Sequence, residues 1–303
     1  MLSILIPTYN YDTVPLVTAL QQQVIRTGMV YEILCFDDAS TLFLKENETL
    51  KTLPNVKYVL LEENIGRSKI RNLLAEEAQY SWLLFLDADV LPKSESFVSN
   101  YLPYLNDEIK IVNGGVEYGT TKPIKEKTLR WVYGQNREAL PCETREKKPY
   151  LSLLTLNFLT HKSVFKNVSF NETIPNLRHE DTLFSYNLMQ NKIPIQQIDN
   201  PIYHLGLDPF PKAIQKEKES VTALKYLLDH QLIPSNYIKI ARVFAALKRL
   251  RLVLPFHFVF HLFKKGLLRN LASNNPSLVL FDLYRLGYLC QIEKENPSIH
   301  FNS

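Results

Sequence analysis

From residue 81 to residue 92 the chain reads S-W-L-L-F-L-D-A-D-V-L-P, an apolar run that ends in two carboxylates, Asp87 and Asp89. A run of this length between polar residues and a proline predicts a strand that is buried on both faces of a sheet. In open α/β sheets, ligands bind at the carboxyl ends of such strands. Two carboxylates there suit Mg²⁺ or Mn²⁺, which keeps water and phosphate oxygens as its further ligands. The stretch therefore predicts a divalent-metal site at a sheet edge.

Short apolar runs alternate with helical patterns on both sides of this stretch. Strands are predicted at 2–7, 31–36, 56–61, 82–86, 109–118, 152–159 and 193–198. Helices are predicted at 14–26, 43–53, 67–78, 126–139 and 181–191. The regular alternation before residue 90 indicates βαβ units and a parallel sheet.

Composition excludes several protein classes. The 303 residues are 46% hydrophobic and 22% charged, as in ordinary globular proteins, which excludes disordered and fibrous chains. The cysteines at 35, 142 and 290 lie far apart without metal-ligand spacing, which favours a reducing compartment. The N-terminus lacks the pattern of a signal peptide, and the apolar run 252–263 is too short to span a bilayer. We therefore expect a cytoplasmic protein.

Polar residues follow the other predicted strands too, and in a parallel sheet they meet at the same edge. They are Pro7, Thr8, Tyr9 and Asn10 after the first strand, Asp37 and Asp38 after the second, and Asn64, Gly66 and Arg67 after the third. A carboxylate on the second strand can accept hydrogen bonds from a pyrimidine base or from ribose. Gly66 permits a tight turn into a helix whose N-terminus favours anions, and Arg67 and Arg71 share one face of that helix. Taken singly, Asp37 and Asp38 could also be turn or N-cap residues.

Five motifs occur in order along the first 205 residues or so. They are S-I-L-I-P-T-Y-N at 3–10, E-I-L-C-F-D-D-A-S at 32–40, N-I-G-R-S-K-I-R-N at 64–72, F-L-D-A-D-V at 85–90 and R-H-E-D-T at 178–182. Together they resemble the inverting family 2 glycosyltransferases. The resemblance implies an α/β, GT-A nucleotide-diphospho-sugar transferase fold with a Rossmann-like, mostly parallel sheet. Ala39 departs from the family pattern, which usually has glycine there.

We expect three regions on this basis. Residues 1–207 would form the GT-A catalytic domain, with 1–90 as its nucleotide-binding half and 91–207 as its acceptor-binding half. Residues 208–232, which include K-A-I-Q-K-E-K-E-S, would form a solvated connector. Residues 233–303 would form a basic amphipathic helical C-terminal region.

The resemblance also implies a mechanism. The donor would be a nucleoside diphosphate sugar, with a UDP-sugar expected, and Asp89 assisted by Asp87 would hold Mn²⁺ or Mg²⁺ against both phosphates. His204 matches the family position where an imidazole reaches the metal or the diphosphate, although a lone histidine is more often structural. Asp181 would be the general base that deprotonates an acceptor hydroxyl and gives an inverted product. A carboxylate there would also favour a helix N-terminus.

The acceptor is expected to be a glycan or a lipid-linked saccharide. Glu180, Trp131, Asn157 and Arg137 are the candidate acceptor-binding residues. Aromatic faces stack on sugars and arginine binds anionic groups, yet an aromatic residue on an amphipathic helix is usually part of a core.

Positive charge is concentrated near the C-terminus. Residues 231–281 contain eight Lys or Arg and no Asp or Glu, so the remaining 27 basic and 31 acidic residues give −4 in a chain of net charge +4. A basic amphipathic helix followed by aromatic residues predicts binding of residues 233–281 to an anionic membrane surface, at the inner face of the cytoplasmic membrane. The alternative is a helical appendage that packs on the catalytic domain or on a second subunit. No nucleic-acid-binding module accompanies the charge.

Two rival functions fit parts of the sequence. The run L-L-F-L-D-A-D-V-L fits the nucleophile motif of haloacid-dehalogenase-type phosphatases, but that motif normally opens its domain, and here three strand–helix units precede it. The second rival function is that of a nucleotide-sugar-binding protein that has lost catalysis. It is disfavoured because the chain retains Asp87, Asp89, Asp181 and His204. A nicotinamide enzyme is disfavoured because no G-x-G-x-x-G follows the first strand.

Overall fold

The computed structural model describes residues 1–106 and 110–296, and the chain divides into two compact units. Unit 1 comprises Met1–Gly119, Arg137–Asn176 and Glu180–Gly206. Unit 2 comprises Thr120–Asn136, Leu177–His179 and Leu207–Ser303. Ile109 of the predicted strand 109–118 and residues 297–303 of the predicted C-terminal region lie outside the described residues.

The strands are all in unit 1. In chain order they are β1 (Leu2–Thr8), β2 (Tyr31–Asp37), β3 (Val56–Leu60), β4 (Trp82–Leu86), β5 (Val90–Pro92), β6 (Ile111–Asn113), β7 (Val116–Glu117), β8 (Asn157–His161), β9 (Gln196–Gln197) and β10 (Ile202–His204). Within the described residues, one sheet has the order β3-β2-β1-β4-β8-β6-β9 and a second has the order β5-β10-β7. β1 to β4 run parallel, whereas β8 is antiparallel to both β4 and β6. The predicted α/β fold with a mostly parallel sheet is confirmed.

The helices flank the sheet of unit 1 and build unit 2. They are α1 (Val14–Arg26), α2 (Leu44–Glu48), α3 (Arg67–Glu77), α4 (Thr128–Tyr133), α5 (Cys142–Glu146), α6 (Glu180–Gln190), α7 (Phe210–Asp229), α8 (Lys239–Arg249), α9 (Val253–Leu271) and α10 (Leu278–Glu295). Short 3₁₀ turns cover Thr49–Thr52, Ser99–Tyr104, Lys125–Lys127 and Lys162–Val164, and a π-helical turn covers Gly134–Glu138.

The core of unit 1 follows from the apolar strands. β2 and β4 are buried along their whole length, because helices and neighbouring strands cover both faces. Phe85 on β4 stacks on Phe158 of β8 with ring centroids 4.9 Å apart, and Phe170 stacks on Phe184 at 4.3 Å. These aromatic pairs hold the antiparallel half of the sheet and α6 against β4, which fixes the strand that carries the Asp-x-Asp turn.

Several predicted elements differ from the observed ones. The predicted strand 109–118 is broken into β6 and β7 at Gly114 and Gly115. A Cβ at Gly114 would lie 2.3 Å from the Tyr101 hydroxyl oxygen, and Gly115 has φ +86°, so the chain turns where only glycine fits. The predicted helix 126–139 ends as α4 at Tyr133 and continues as the π-helical turn, and the strand predicted at 152–159 begins only at Asn157.

Unit 2 has its own apolar core. Buried residues from α4, α7, α9 and α10 form one cluster, which contains Leu129, Ile214, Phe260, Leu271, Phe281 and Tyr284. The segment expected to be a solvated connector forms α7, whose buried side includes Val221 and Leu224. Lys225 on α7 pairs with Glu293 of α10 at 2.9 Å in a nearly buried contact. Among the residues that the structure describes, no helix has the length and apolar character needed to cross a bilayer.

Candidate functional site

The carboxyl ends of β1, β2 and β4 place the predicted residues at one edge of the sheet in unit 1. Thr8 at the end of β1 is in register with Asp37 at the end of β2, and the Asp38 N–H donates to the Thr8 carbonyl at 2.9 Å. β4 lies on the other side of β1 and ends at Leu86, directly before Asp87. This edge is where open α/β sheets bind ligands.

Asp37 is fully buried and hydrogen-bonded within the protein. One carboxylate oxygen accepts from the Tyr58 hydroxyl at 2.8 Å, and the other accepts from the Ser40 N–H at 2.9 Å. Burial and this hydrogen bond raise the pKa of Tyr58, so the phenol remains a donor. Asp37 therefore anchors the β2 loop, at a position where the sequence also allowed a turn residue.

Asp38 holds the turn that leads into α3. Its two oxygens accept from the N–H groups of Ile65 at 2.7 Å and Gly66 at 3.0 Å. Burial raises the pKa of the Asp38 carboxyl, against the effect of these two donors. Gly66 has φ +88° and ψ 169°, and a Cβ there would lie 2.7 Å from the Asn176 side chain. Only glycine fits this turn, and Asp38 fixes its two amides.

The residues after β1 are divided between buried and exposed positions. Asn10 has φ +50°, and its side-chain oxygen accepts from the N–H groups of Thr41 at 2.8 Å and Leu42 at 3.1 Å. Thr8 is buried, whereas Tyr9 is 56% exposed. Of these three residues of the first motif, Tyr9 is the one whose side chain is open to a ligand.

Arg71 is the centre of a bridge between two predicted motifs. Its guanidinium donates to Asp87 at 2.8 Å and to Glu180 at 3.4 Å, and it lies over the Phe170 ring at 5.5 Å. Burial alone lowers the pKa of Arg71, but the charges of Asp87 and Glu180 more than offset this and the net shift is upward. In this structure the Arg71 guanidinium contacts both carboxylates. We call this contact the Asp87–Arg71–Glu180 bridge.

Asp89 and His204 form the candidate metal position. The His204 Nε2 lies 3.7 Å from an Asp89 carboxylate oxygen, and the Tyr118 ring stacks on the imidazole at 5.3 Å. The His204 Nδ1 is buried and has no hydrogen-bond partner among the residues that the structure describes. A Cβ at Gly206 would lie 2.0 Å from the Asp89 carboxylate, so glycine at 206 leaves room for this pair.

This pair fits a divalent cation that takes most of its ligands from elsewhere. Within residues 1–106 and 110–296, no three His, Cys, Asp or Glu side chains gather closely enough to hold a metal by themselves. A carboxylate oxygen and an imidazole nitrogen are suitable ligands for Mn²⁺. Both Mn²⁺ and Mg²⁺ also accept phosphate and water oxygens as ligands. Asp87 uses one oxygen for Arg71, which leaves Asp89 as the first candidate for a carboxylate ligand.

The remaining predicted residues have diverse surroundings. Asp181 is half-buried in the first turn of α6, where the Thr182 N–H donates to its carboxylate. Asn157 is fully buried, accepts from the Tyr101 hydroxyl at 2.7 Å and donates to the Gly115 carbonyl at 2.8 Å, which favours a structural role over the predicted acceptor contact. Arg67 lies at the first position of α3. Arg137 is exposed in unit 1, whereas the half-buried Trp131 belongs to unit 2.

Several residues of the site carry no sequence signal of their own. Tyr58, Asn176, Gly206 and Tyr118 lie outside the recognised motifs, and their partners are distant along the chain. Tyr11 is another: burial and then the charge of Asp89 raise the pKa of its phenol, so it lies close to the candidate metal position. Only the Y-H-L-G context of Gly206, two residues after His204, could have suggested one of them.

A nucleotide-binding type of sheet with an Asp-x-Asp turn at its carboxyl edge defines the GT-A class of glycosyltransferases. The family model described as glycosyl transferase family 2 matches residues 3–172. Because this match covers more than half of the chain, the protein belongs to glycosyl transferase family 2 and is a glycosyltransferase by class. The predicted family is confirmed.

Solved structures have the same fold. The mannosyltransferase PcManGT from Pyrobaculum calidifontis, in complex with GDP-Man and Mn²⁺, has a TM-score of 0.56 at 13% identity, over 98% of this chain and 88% of that one. Glucosyl-3-phosphoglycerate synthase from Mycobacterium tuberculosis, in complex with Mn²⁺, UDP and glucosyl-3-phosphoglycerate, has a TM-score of 0.51 at 14% identity, over 78% and 81% of the two chains. S. aureus TarS 1-349 has a TM-score of 0.50 at 16% identity, over 97% and 91%.

At these identities the likeness concerns the fold. A longer S. aureus TarS chain, at 18% identity and a TM-score of 0.48, is matched over 43% of its own length and 75% of this chain. No curated protein matches the chain.

Proposed function

We propose that this protein is an inverting glycosyltransferase that moves a sugar from a nucleoside diphosphate sugar, with a UDP-sugar as the expected donor, to a hydroxyl group of a glycan or a lipid-linked saccharide. The observation that carries the proposal is the Asp87–Arg71–Glu180 bridge. It connects the turn that bears Asp89 to the helix end that bears Asp181. Direct displacement needs a positive charge at the leaving diphosphate and a base at the acceptor hydroxyl.

The donor is proposed to lie along the carboxyl edge of β1, β2 and β3. The exposed ring of Tyr9 offers a surface on which a base can stack, and Arg67 at the first position of α3 offers a positive charge to an anion. The proposed donor-binding residues are Pro7, Thr8, Tyr9, Asn10, Asp37, Asp38, Asn64, Gly66, Arg67, Arg71 and Asp87. Those with buried, internally bonded side chains act by fixing the loops on which the exposed members lie.

The proposed metal ligands are Asp89, Asp87 and His204. They would hold Mn²⁺ or Mg²⁺, which when bound supplies positive charge to the diphosphate as the anomeric C–O bond breaks. The distance of 3.7 Å between the His204 Nε2 and an Asp89 carboxylate oxygen and the space left by Gly206 support this assignment. The Mn²⁺ in the P. calidifontis and M. tuberculosis complexes supports a divalent cation of this kind.

Asp181 is proposed as the general base. It would take the proton of the acceptor hydroxyl while the hydroxyl oxygen bonds to the anomeric carbon on the side opposite the diphosphate. The electron pair of the breaking C–O bond leaves with the diphosphate, and the new glycosidic bond has inverted configuration. Glu180, held by Arg71, would fix the start of α6 and so the position of Asp181.

The acceptor is proposed to be a hydroxyl group of a glycan or a lipid-linked saccharide. Trp131 and Arg137 remain proposed acceptor residues, and nothing in the contacts of the fully buried Asn157 supports such a role. A lipid-linked acceptor would place the reaction at the inner face of the cytoplasmic membrane, which is the location that we propose.

Calorimetric titration tests the donor class first. UDP, dTDP and GDP are each titrated into the full chain with Mn²⁺ and again with a chelator. We expect tight, metal-dependent binding of one nucleotide, UDP before the others, and loss of the metal dependence in Asp89→Ala. Binding of none would contradict the proposal and favour the phosphatase, for which phosphate esters are the next substrates.

Asp181→Asn tests the base and separates an enzyme from a binding protein that has lost catalysis. We expect unchanged nucleotide binding and loss of turnover by at least about a hundredfold, the usual contribution of a general base. Asp199→Asn, which removes an equal charge from an exposed position in unit 1, is the matched control and should leave turnover unchanged. Turnover in the Asp181 variant, or a product with retained configuration by NMR, would contradict this mechanism.

A further inference from the structure

Helix α9 in unit 2 exposes large apolar side chains in addition to the apolar residues that it buries in the core of that unit. Lys264 is turned inward, where its ammonium lies over the Phe260 ring at 5.4 Å and donates to Gln291 of α10. Burial lowers the pKa of this lysine. Large apolar side chains are turned outward instead. A soluble surface helix normally places its charged residues outside and its apolar stripe inside.

The outward side chains form a continuous stripe. Leu254, Phe258 and Leu262 follow one another at intervals of four residues, and Val259 and Phe263 lie further round the helix, so the five span about half of its circumference. All five are between 51% and 65% exposed. We call these five residues the α9 outer face. Leu250 and Leu252, in the turn that precedes α9, are exposed as well and extend it at its N-terminal end.

The α9 outer face is held rigidly from behind. Phe260 is buried and contacts Tyr284 of α10 edge to face, with ring centroids 5.9 Å apart. A Cβ at Gly287 would lie 2.2 Å from the Phe260 ring, so α10 receives this ring closely. The inner side of α9 therefore cannot rotate outward without emptying a packed core. The apolar side chains are consequently presented to the surroundings as a fixed surface.

Basic residues border this surface. Arg249 is the last residue of α8, and Arg251 lies in the turn between α8 and α9. Lys265 and Arg269 lie on the last two turns of α9, beyond the α9 outer face. All four side chains are exposed. Residues 231–281 contain no acidic residue that could neutralise them. We call these four residues the basic rim. An exposed apolar surface with a basic border matches the boundary between anionic headgroups and acyl chains.

We propose that the α9 outer face and the basic rim form a docking surface for an anionic lipid bilayer, in which the apolar side chains enter the acyl boundary and the basic rim contacts the headgroups. A second copy of this chain fits less well. A symmetric contact through the α9 outer face would bring two basic rims together, with no carboxylate in either segment to pair with them. The inference concerns this surface only and does not depend on the reaction proposed above.

Vesicle binding by the full chain tests the proposal. Co-sedimentation is measured with phosphatidylcholine vesicles and with vesicles that contain phosphatidylglycerol, at low and at high salt. We expect binding to the anionic vesicles that falls with salt, and each rim residue should contribute roughly a fivefold factor in partitioning. The Arg249→Gln and Lys265→Gln double variant should therefore bind roughly 25-fold more weakly. Equal binding to neutral vesicles, or no binding, would overturn the proposal.

Two further variants separate lipid insertion from general attraction. Phe258→Asp with Leu262→Asp should abolish vesicle binding, whereas Ile25→Asp, at an exposed apolar position on α1, should not. In the Phe263→Trp variant, vesicles with brominated acyl chains should quench more tryptophan fluorescence than they quench in the wild-type chain, which has two tryptophans. The far-UV circular dichroism spectrum and the Tm should be unchanged in each, which shows that the chain is folded. Vesicle binding that survives the Phe258→Asp and Leu262→Asp double substitution would refute a lipid surface. A wild-type protein that binds no vesicles and forms a dimer in light scattering, which the double substitution converts to a monomer, would refute it as well.

Discussion

Replacement of Arg71 by methionine should destabilise the protein more than any change to a surface ion pair. The Arg71 side chain is 6% exposed and those of its partners Asp87 and Glu180 are 30% and 12% exposed. Methionine has a similar length and removes only the charge and its donors. The substitution would leave two carboxylates beside each other with little water and no cation. Removal of one partner from a buried ion pair costs about 3–5 kcal/mol, and we expect the lower end because Asp87 retains some access to water.

Thermal and chemical unfolding measure this change. About 3 kcal/mol corresponds to a fall in Tm of roughly 6–12 °C for a unit of this size. Turnover should fall as well, measured below the new Tm, because the bridge positions the segments that carry Asp89 and Asp181. Arg71→Lys should lie in between, since an ammonium keeps the positive charge but lacks the planar fork of separate nitrogens with which the guanidinium reaches Asp87 and Glu180.

Arg26→Met provides the matched control. Arg26 also contacts a carboxylate, Glu95, at 2.8 Å, but the two side chains are 58% and 88% exposed. Exposed pairs contribute at most about 1 kcal/mol, so this variant should unfold close to the wild-type temperature. If Arg71→Met and Arg26→Met had equal effects on unfolding and turnover, the bridge would have no special role and the argument from burial would be wrong.

Two further substitutions probe buried carboxylates. Tyr58→Phe removes the hydroxyl that donates to Asp37, and it should lower the free energy of unfolding by about 1.5–3 kcal/mol in denaturant titration, whereas Tyr9→Phe should have no effect. Asp208→Asn should be destabilising by about 1–2 kcal/mol at pH 7. Burial raises the pKa of Asp208, but hydrogen bonds from Lys216 and Lys212 lower the pKa by more than burial raises it. The net pKa of Asp208 therefore lies below the usual 3.8. The ionised Asp208 thus contributes its full stabilisation above pH 3.8, and this contribution is lost as the pH falls through the folded-state pKa. The free energies of unfolding of wild type and variant should therefore converge in acid. A difference between them that is independent of pH would contradict this assignment.

The sequence was most informative where structure depends on local pattern. Helix α1 spans the predicted residues 14–26 and β4 spans 82–86, because amphipathic period and a buried apolar run are properties of contiguous residues. Predictions from local pattern were less accurate after residue 109. There the strands have two to five residues, and Gly114 and Gly115 interrupt a run whose composition alone looks continuous.

The sequence also predicted which polar residues lie at the carboxyl edge of the parallel strands, which is the candidate binding edge. Asp37, Asn64 and Asp87 each follow a strand of a parallel sheet, and the direction of the strands brings these positions together. It could not assign what each side chain does. Asp38 fixes the amides of the Gly66 turn and Arg71 joins Asp87 to Glu180, a residue 109 positions away. Such contacts depend on how distant segments pack, and the residue types alone are equally compatible with a ligand.

The C-terminal region shows the same division. Its charge, its aromatic residues and its helical period are written in the sequence, and they predict a basic helical region. Which side of α9 faces outward was decided only by tertiary packing, because Phe260 fills the space beside Gly287 and turns Lys264 inward. The sequence by itself thus determined the family, the parallel half of the sheet and the candidate binding edge. The tertiary structure decided the partners of each buried charge and the surface that α9 presents, since both depend on contacts between residues that are far apart in the chain.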